Sequence, residues 1–292
     1  MEQKFIMNYY FKHTLFVNIN TMKKLSKIIL FIGLFPITIV SANNIDLIEN
    51  EIGKIEFISN NESSLNRGGT IKSVTKTPNV SRTQSYAIVK DLTGNAPSKI
   101  FERFDVDNKT CSTKLWPDGS STDCNTGRSR MEISIDPVAK HGQERWYSYW
   151  IYFTNQFETN NLVQPYLGQF KCKDKKGGTG TSPIYSLNAL DYKYKTFGVI
   201  LIEPENFSNQ WHKIEMNIKW STRDDGFIKL YANNELKKEI LNYPTLPKQS
   251  KCSFRYGIYQ NKDNQSPYAT NFKWPRQIVY FAEFKRTKKR ED

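Results

Sequence analysis

The sequence contains few of the residues that form metal and redox sites. Its 292 residues include 3 histidines and 4 cysteines, and the cysteines form no Cys-x-x-Cys motif and have no nearby histidine pair. This argues against a metal site, because zinc sites use closely spaced cysteine and histidine ligands. We expect that no cofactor is required. A structural calcium ion fits only acidic turns such as Asp105-Val-Asp107-Asn108, and two acids in a loop usually form just a turn.

The sequence also lacks an apolar run long enough to span a membrane comfortably. Its apolar run at residues 28–40 follows the lysine-rich segment 23–27 and ends at the small residues Ser41 and Ala42. This order is typical of a secretory signal peptide, so we predict cleavage after Ala42. Residues 1–42 are then an upstream extension and a signal peptide. The mature protein is predicted to be secreted or periplasmic, with no membrane span.

Acidic residues are too few to balance the basic ones. The chain has 42 Lys and Arg against 29 Asp and Glu, a net charge of +13, and residues 43–292 alone carry +9. A surplus of this size attracts polyanions and speeds their encounter with the protein. An exported protein meets acidic polysaccharides more readily than nucleic acid, and no nucleic-acid-binding motif accompanies the charge. We predict a monomeric protein whose partner is an anionic polysaccharide.

Helical periodicity is almost absent from the chain. Residues 43–83 are polar and predict a loosely ordered leader, and residues 84–292 predict a single domain. The clearest strand is WHKIEMNIKW, interpreted as half-buried, with one apolar face formed by Ile214, Met216, Ile218 and Trp220. About ten such strands, no fixed repeat and 14% aromatic residues indicate an all-β fold. We predict an antiparallel β-jelly roll or concanavalin-like sandwich.

Four cysteines in an exported chain are expected to form disulfide bonds, and they allow three pairings. Cys111 and Cys124 bracket a loop rich in Pro, Gly, Ser and Asp. We therefore favour a bond between these two cysteines, which leaves Cys172 to pair with Cys252.

The segment SFRYGIYQN, residues 253–261, combines an apolar face with a polar one. Side chains alternate along a strand, so Arg255, Gly257 and Tyr259 share the polar face. Because Gly257 has no side chain, we predict a gap there in which a ligand can lie against the sheet.

Two further segments repeat this pattern. GRSRMEISI carries Arg130 and Glu132 on its polar face, and YLGQFKC carries Gln169 and Lys171. If these faces and that of Tyr259 line one concave sheet, they form a cationic trough that contains a phenol. The alternatives are a surface ion pair between Arg130 and Glu132, a solvated lysine and a tyrosine at the edge of the core.

The order of these segments resembles that of polysaccharide lyases of the heparin lyase type, which are related in architecture to glucuronan and alginate lyases. Over residues 84–286 the matching elements are R-x-E, W-Y-x-x-W, Q-x-basic followed by a Gly-rich loop and Ser-Pro, an I-K-W strand and R-x-G-x-Y. The resemblance implies a β-jelly roll whose concave face cleaves uronic-acid polysaccharides by β-elimination. A non-catalytic carbohydrate-binding protein on the same fold is the alternative.

The resemblance also implies roles for the polar residues. Tyr259 matches the catalytic tyrosine, which gives a proton to the departing oxygen and in some members of the family also takes one. Arg130, Gln169 and Arg255 are suited to neutralise the uronate carboxylate, and Glu132 lies beside them as a substrate-binding candidate. A cation near Tyr259 is expected to lower its pKa from about 10.

The chain departs from the family at the position of the base. The family commonly has Q-x-His, whereas this chain has Gln169-Phe170-Lys171. Lys171 can act as a base only if its pKa falls by roughly three units. His141 is expected at the surface, but its loop could fold over the cleft, so it is the reserve candidate for the base and a substrate-binding candidate. His212, the other histidine after residue 42, is expected at the surface.

The second disulfide bears on the same question. If Cys172 and Cys252 face each other on neighbouring antiparallel strands, Lys171 faces residue 253, about 20 Å from Tyr259 at the usual rise per residue. A bond formed beyond the strand ends would remove this constraint.

A glycoside hydrolase of the laminarinase type also uses a jelly roll. It requires the motif Glu-x-Asp-x-x-Glu on one strand. The nearest match begins at Glu132 and ends at Asp136 with no third acid. The sequence therefore argues against this activity.

Overall fold

Alternating residue patterns form strands throughout the computed structural model of the chain. The structure describes residues 55–61, 65–67, 70–74, 85–115, 119, 122–159, 165–173, 185–190, 193–247, 251–260 and 275–291. The predicted extension and signal peptide lie outside these residues.

Fifteen strands occur in the described segments. In chain order they are β1 Ile55–Ser59, β2 Thr70–Val74, β3 Tyr86–Asp91, β4 Ile100–Val106, β5 Ser129–Asp136, β6 Glu144–Phe153, β7 Tyr166–Lys173, β8 Tyr185–Leu190, β9 Lys193–Thr196, β10 Val199–Ile202, β11 Trp211–Lys219, β12 Gly226–Ala232, β13 Glu235–Tyr243, β14 Lys251–Gln260 and β15 Gln277–Thr287. A short 3₁₀ turn, Pro204–Asn206, follows β10. No helix in the described segments is both long and apolar enough to cross a membrane.

The strands form two antiparallel sheets. The eight-stranded sheet has the order β1-β3-β4-β15-β6-β11-β12-β13, and the seven-stranded sheet has the order β10-β9-β8-β7-β14-β5-β2. One face of each sheet packs on the other sheet. The opposite face of the eight-stranded sheet carries a second buried apolar cluster, which includes Ala87, Tyr152 and Tyr280. The predicted all-β, antiparallel jelly-roll fold is confirmed. Residues 43–292 group into one compact unit.

The core lies between the two sheets and contains many aromatic rings. In β14, Phe254, Tyr256 and Ile258 are at most 1% exposed, as their shared parity predicts. Tyr149 and Phe284 of the other sheet pack against Phe254, with ring centroids 6.5 and 5.3 Å away. Burial of each such side chain stabilises the fold by roughly 1.5–3 kcal/mol. This packing leaves the opposite face of β14 available for catalytic and binding residues.

Part of the predicted leader belongs to the folded unit. β1 pairs with β3 and β2 pairs with β5, so the prediction of a loose leader is wrong for these segments. Between them, Arg67 is 2% exposed and its Nη2 lies 2.6 Å from Glu102 Oε1. Tyr86 and Tyr256 each donate a 2.7 Å hydrogen bond to that carboxylate. A lone arginine in a polar segment suggests solvent exposure, but its partners lie in distant strands of the core.

The outer face of the eight-stranded sheet is covered at β11. Glu215 is 1% exposed and accepts two hydrogen bonds from Arg290, whose guanidinium carbon lies 4.6 Å from the Tyr231 ring centroid. The prediction of a half-buried β11 is therefore wrong at this polar position. His212 has the parity of Ile214 and is 1% exposed, so its predicted surface position is also wrong. Burial lowers the pKa of His212.

Both disulfide bonds join the cysteines that the sequence pairs. The bond between Cys111 and Cys124 closes the connection from β4 to β5. The bond between Cys172 and Cys252 joins residues that face each other in β7 and β14. This second bond fixes the register of the two strands that carry most of the candidate site residues.

Candidate active site

Three side chains meet on the polar face of the seven-stranded sheet. Tyr259 in β14 pairs with Arg130 in β5 on one side and with Tyr166 in β7 on the other. The guanidinium carbon of Arg130 lies 5.1 Å from the Tyr259 ring centroid. The ring of Tyr166 stacks on the same phenol, with centroids 5.8 Å apart and planes at 29°. All three residues are partly exposed, so a ligand can reach this row.

Glu132 connects the other polar side chains of this face. It is 5% exposed, and its Oε1 accepts a 2.5 Å hydrogen bond from Gln169 Nε2. Its Oε2 lies 3.6 Å from Arg130 Nη1 and 4.0 Å from Arg255 Nη1. One buried carboxylate therefore orients two cations and an amide. Gln169 and Glu132, both predicted to bind substrate, contact each other in this structure.

A second carboxylate holds Arg130 from the disulfide loop. Asp123, next to Cys124, is 1% exposed, and its Oδ2 accepts a 2.6 Å hydrogen bond from Arg130 Nε. Burial lowers the pKa of Arg130, but Glu132 and Asp123 together outweigh that effect and raise it. The guanidinium is thus a permanent cation in a fixed position.

The phenol of Tyr259 holds its proton firmly. Burial raises the pKa of Tyr259 to about 12, although the charges of Arg130 and Arg128 oppose that rise. The expectation that a nearby cation would bring this pKa below 10 is therefore wrong, because desolvation has the larger effect. At neutral pH the phenol is a proton donor.

Gly257 is required by the backbone conformation of β14 and does not open a gap for a ligand. Its φ is +124°, and a Cβ there would collide with the Met131 carbonyl and lie 2.9 Å from the Phe104 ring on the core side. The register of β14 against β7 shifts between Tyr256 and Tyr259, on either side of this glycine. The predicted gap is wrong, because a bulge with positive φ is what requires glycine here.

A separate irregularity, in β7 itself, explains why alternation along the strand does not reveal Tyr166. Counting back by twos from Gln169 along β7 predicts that Leu167 faces the polar side. The pairing of β7 with β8 shifts between Tyr166 and Gly168, so Leu167 is an extra residue in β7. Leu167 is therefore 1% exposed in the core, and Tyr166 stacks on Tyr259. The sequence offers no signal for Tyr166. For Asp123 the sequence does offer a signal, because this residue precedes Cys124, which forms a disulfide bond.

The two candidate bases lie away from this row. Lys171 pairs with Ser253, so the disulfide does impose the separation from Tyr259 of about 20 Å along β14. His141 is exposed, and its Nδ1 accepts a 3.1 Å hydrogen bond from the backbone N–H of Thr222, just after β11 in the other sheet. The structure therefore brings neither residue to Tyr259, and their role as the base stays a prediction.

The acids of the predicted calcium turn contact protein donors. Asp105 is 6% exposed and accepts hydrogen bonds of 3.0 and 2.7 Å from Arg276 and another from Arg103. Asp107 Oδ1 accepts hydrogen bonds from the backbone N–H groups of Lys109 and Thr110. These contacts are those of an ordinary turn, and calcium binding stays a prediction.

A sequence model of one protein family, described as polysaccharide lyase, matches residues 59–280. The chain belongs to the polysaccharide lyase family. The matched range contains the whole row of Arg130, Tyr259 and Tyr166, together with Glu132. Family membership supports cleavage of a polysaccharide by elimination, and the row supplies a fixed cation beside a proton donor.

Solved structures share the fold at low sequence identity. The endo-β-1,4-glucuronan lyase from the fungus Trichoderma reesei is 15% identical, with a TM-score of 0.54 over 77% of this chain and 94% of that one. The alginate lyase vAL-1 from Chlorella virus is 13% identical, with a TM-score of 0.46 over 76% and 93%. The comparison with curated proteins found no match. At 15% identity the glucuronan lyase structure shows a shared fold alone.

Proposed function

We propose that this lyase cleaves an anionic, uronate-containing polysaccharide by β-elimination on the polar face of the seven-stranded sheet. The proposal depends on the contact between Arg130 and Tyr259, in which a fixed cation lies against a protonated phenol. Elimination needs both groups. A cation stabilises the negative charge that develops on the uronate, and an acid protonates the departing glycosidic oxygen.

Each polar residue then has a role in the reaction. Arg130 and Arg255 bind the uronate carboxylate, which makes the neighbouring carbon-bound proton easier to remove. A solvent water at this partly exposed row takes that proton from the carbon. The carbon–carbon double bond of the product then forms as the glycosidic bond breaks, and Tyr259 gives its own proton to the leaving oxygen. Glu132 and Asp123 position the two arginines and do not touch the substrate. Gln169, beside Glu132, completes the carboxylate site when the sugar is bound.

Charge supports an acidic substrate. Residues 43–292 carry a net charge of +9, and two of the partly exposed residues of the site are arginines. Heparin-like chains, glucuronan and alginate all present carboxylates at the spacing of one or two sugars. We infer an exported enzyme that meets such a polymer outside the cytoplasm, after loss of residues 1–42, the upstream extension and signal peptide.

The test is product formation from defined polymers. The purified protein is incubated separately with heparin, glucuronan and alginate, and the ultraviolet absorbance of the unsaturated product is followed. The proposal predicts a steady rise with at least one uronate polymer and none with a neutral glucan. A rise with none of the acidic polymers, under conditions where the protein is folded by circular dichroism, would contradict it.

A non-catalytic binding role is the second candidate. The separation of Lys171 from Tyr259 favours it, because the candidate amine base lies far from the candidate acid. Retardation of the protein in gels that contain the acidic polymers, with no rise in absorbance, would support binding over catalysis.

A further inference from the structure

The row that contains Tyr259 continues across the sheet beyond Tyr166. Tyr166 pairs with Asn188 in β8, and Asn188 pairs with Lys195 in β9. Neighbouring strands lie about 4.8 Å apart, so Lys195 is about 14 Å from Tyr259, measured across the strands. Arg130, Tyr259, Tyr166, Asn188 and Lys195 therefore form one line perpendicular to the strands.

Burial shows that the far end of this line lies on the polar face. Leu187 and Ala189, which flank Asn188, are 1% and 0% exposed in the core. Tyr194, which precedes Lys195, is also 0% exposed. Because side chains alternate, the partly exposed Asn188 and Lys195 point to the same side of the sheet as Tyr259.

Charge in this half of the sheet is unbalanced. The four strands β7 to β10 contain lysines and no aspartate or glutamate. Within the described segments, neither Lys193 nor Lys195 has a carboxylate partner within 4.0 Å. Partly exposed lysines of the other sheet do have partners, as in the pairs Lys213 with Glu215 and Lys229 with Glu239, at 3.6 and 2.8 Å.

We propose that Lys195 binds a carboxylate of the substrate chain several sugars away from the bond that is cleaved. Tyr166 and Asn188 line the path between that contact and Tyr259. One strand spacing is close to the length of one sugar ring, so a chain that crosses the strands presents successive acidic groups along this line. Lys193, two residues away on the same face of β9, reinforces the positive charge. The inference rests on the proposed function and adds a site that sets chain-length preference.

The test removes the charge of Lys195 and keeps most of its length. Lys195→Gln is compared with the unaltered protein on the polymer that gives product and on the shortest oligosaccharide of that polymer that is cleaved. The expected result is a KM for the polymer raised about fivefold with kcat unchanged, and no change on the short substrate, which does not reach β9. Raised salt is expected to weaken polymer binding less in the variant than in the unaltered protein.

Lys229→Gln is the matched control, because Lys229 lies on the eight-stranded sheet and pairs with Glu239. It is expected to leave both substrates unaffected. Equal KM values for Lys195→Gln and the unaltered protein on the polymer would overturn the inference, as would an equal change on long and short substrates.

The two proposals fail in different ways. If the unaltered protein forms product and Lys195→Gln behaves like the control, the extended site is wrong and the lyase proposal stands. If the unaltered protein forms no product, gel retardation with the same polymers still tests Lys195, and reduced retardation of Lys195→Gln alone would support it. No retardation of the unaltered protein by any of the polymers would overturn both proposals.

Discussion

Arg130 covers the ring of Tyr259, with its guanidinium carbon 5.1 Å from the ring centroid. The arginine is held on its other side by Asp123 and Glu132, at 2.6 and 3.6 Å. Its position relative to the phenol is therefore fixed by buried carboxylates before any substrate binds. Such preorganisation is what electrostatic stabilisation of a developing charge requires.

Glu132→Gln tests this positioning. The variant keeps the size of the side chain but removes the charge that holds Arg130 and Arg255, so both cations can shift by a fraction of a bond length or more. We expect kcat/KM to fall on the order of 10- to 100-fold, with an unchanged circular dichroism spectrum. Glu239→Gln on β13 is the control, because its carboxylate pairs with Lys229 on the other sheet. Equal activities for the two variants would show that Glu132 does not position the site.

Lys171→Gln tests the candidate base. Lys171 faces Ser253, far along β14 from Tyr259, so its amine is not expected to take the substrate proton. Loss of a general base costs roughly 10²- to 10⁴-fold in rate. We expect kcat to change by far less than that, as measured by initial rates of product absorbance. A loss of 100-fold or more, with KM unchanged, would restore Lys171 as the base and require a different substrate path.

Parity within single strands predicted much of the fold and part of the site. The apolar and polar faces of β5 and β14 follow from alternation, which placed Arg130, Glu132, Arg255 and Tyr259 together. The composition of the loop between Cys111 and Cys124 favoured their pairing and left Cys172 to pair with Cys252, and the register followed once those two residues faced each other. These features are local, or are set by one covalent bond, and so can be read along the chain.

The rest depends on contacts between distant segments. Tyr166 reaches the polar face only because β7 contains an extra residue at Leu167, which shows in the pairing of β7 with β8 and not in the residue pattern of β7. Arg67 is buried because its partners, Glu102 and the hydroxyls of Tyr86 and Tyr256, lie in distant strands of the core. The pKa of Tyr259 depends on the balance of burial against charge, which requires the three-dimensional environment.

Glu102→Gln tests the buried ion pair. The carboxylate receives Arg67 and the hydroxyls of Tyr86 and Tyr256 within the core, so its loss leaves a buried cation without a counter-charge. We expect the free energy of unfolding in urea to fall by about 3–5 kcal/mol. Glu56→Gln removes an exposed pair with Lys90 and is expected to cost less than about 1 kcal/mol. Equal effects of the two substitutions would contradict the burial of this network.

Alkaline pH is expected to unfold the protein through its buried phenols. Burial raises the pKa of several core tyrosines above the value of about 10 that they have in an unfolded chain; these are Tyr86, Tyr147, Tyr149, Tyr194 and Tyr256. Above that pH the folded state binds more protons than the unfolded state, so stability falls as pH rises.

Tyrosinate absorbance, recorded with circular dichroism between pH 8 and 13, checks this behaviour. Part of the full tyrosinate absorbance should be absent as long as the β-sheet signal persists, because the five core phenols keep their protons in the folded protein. The remaining absorbance should appear together with loss of the β-sheet signal. Complete ionisation of all tyrosines near pH 10 in a folded protein would rule out the raised pKa values.

The most direct test of the account is the rate of product formation by Tyr259→Phe. The phenylalanine ring can still lie under Arg130 and against Tyr166, so only the proton donor is lost. With Tyr243→Phe as the control, we expect kcat to fall by at least about 10²-fold while the protein still binds the polymer in gels. Full activity of Tyr259→Phe would contradict the account, because the leaving oxygen would then receive its proton from another group.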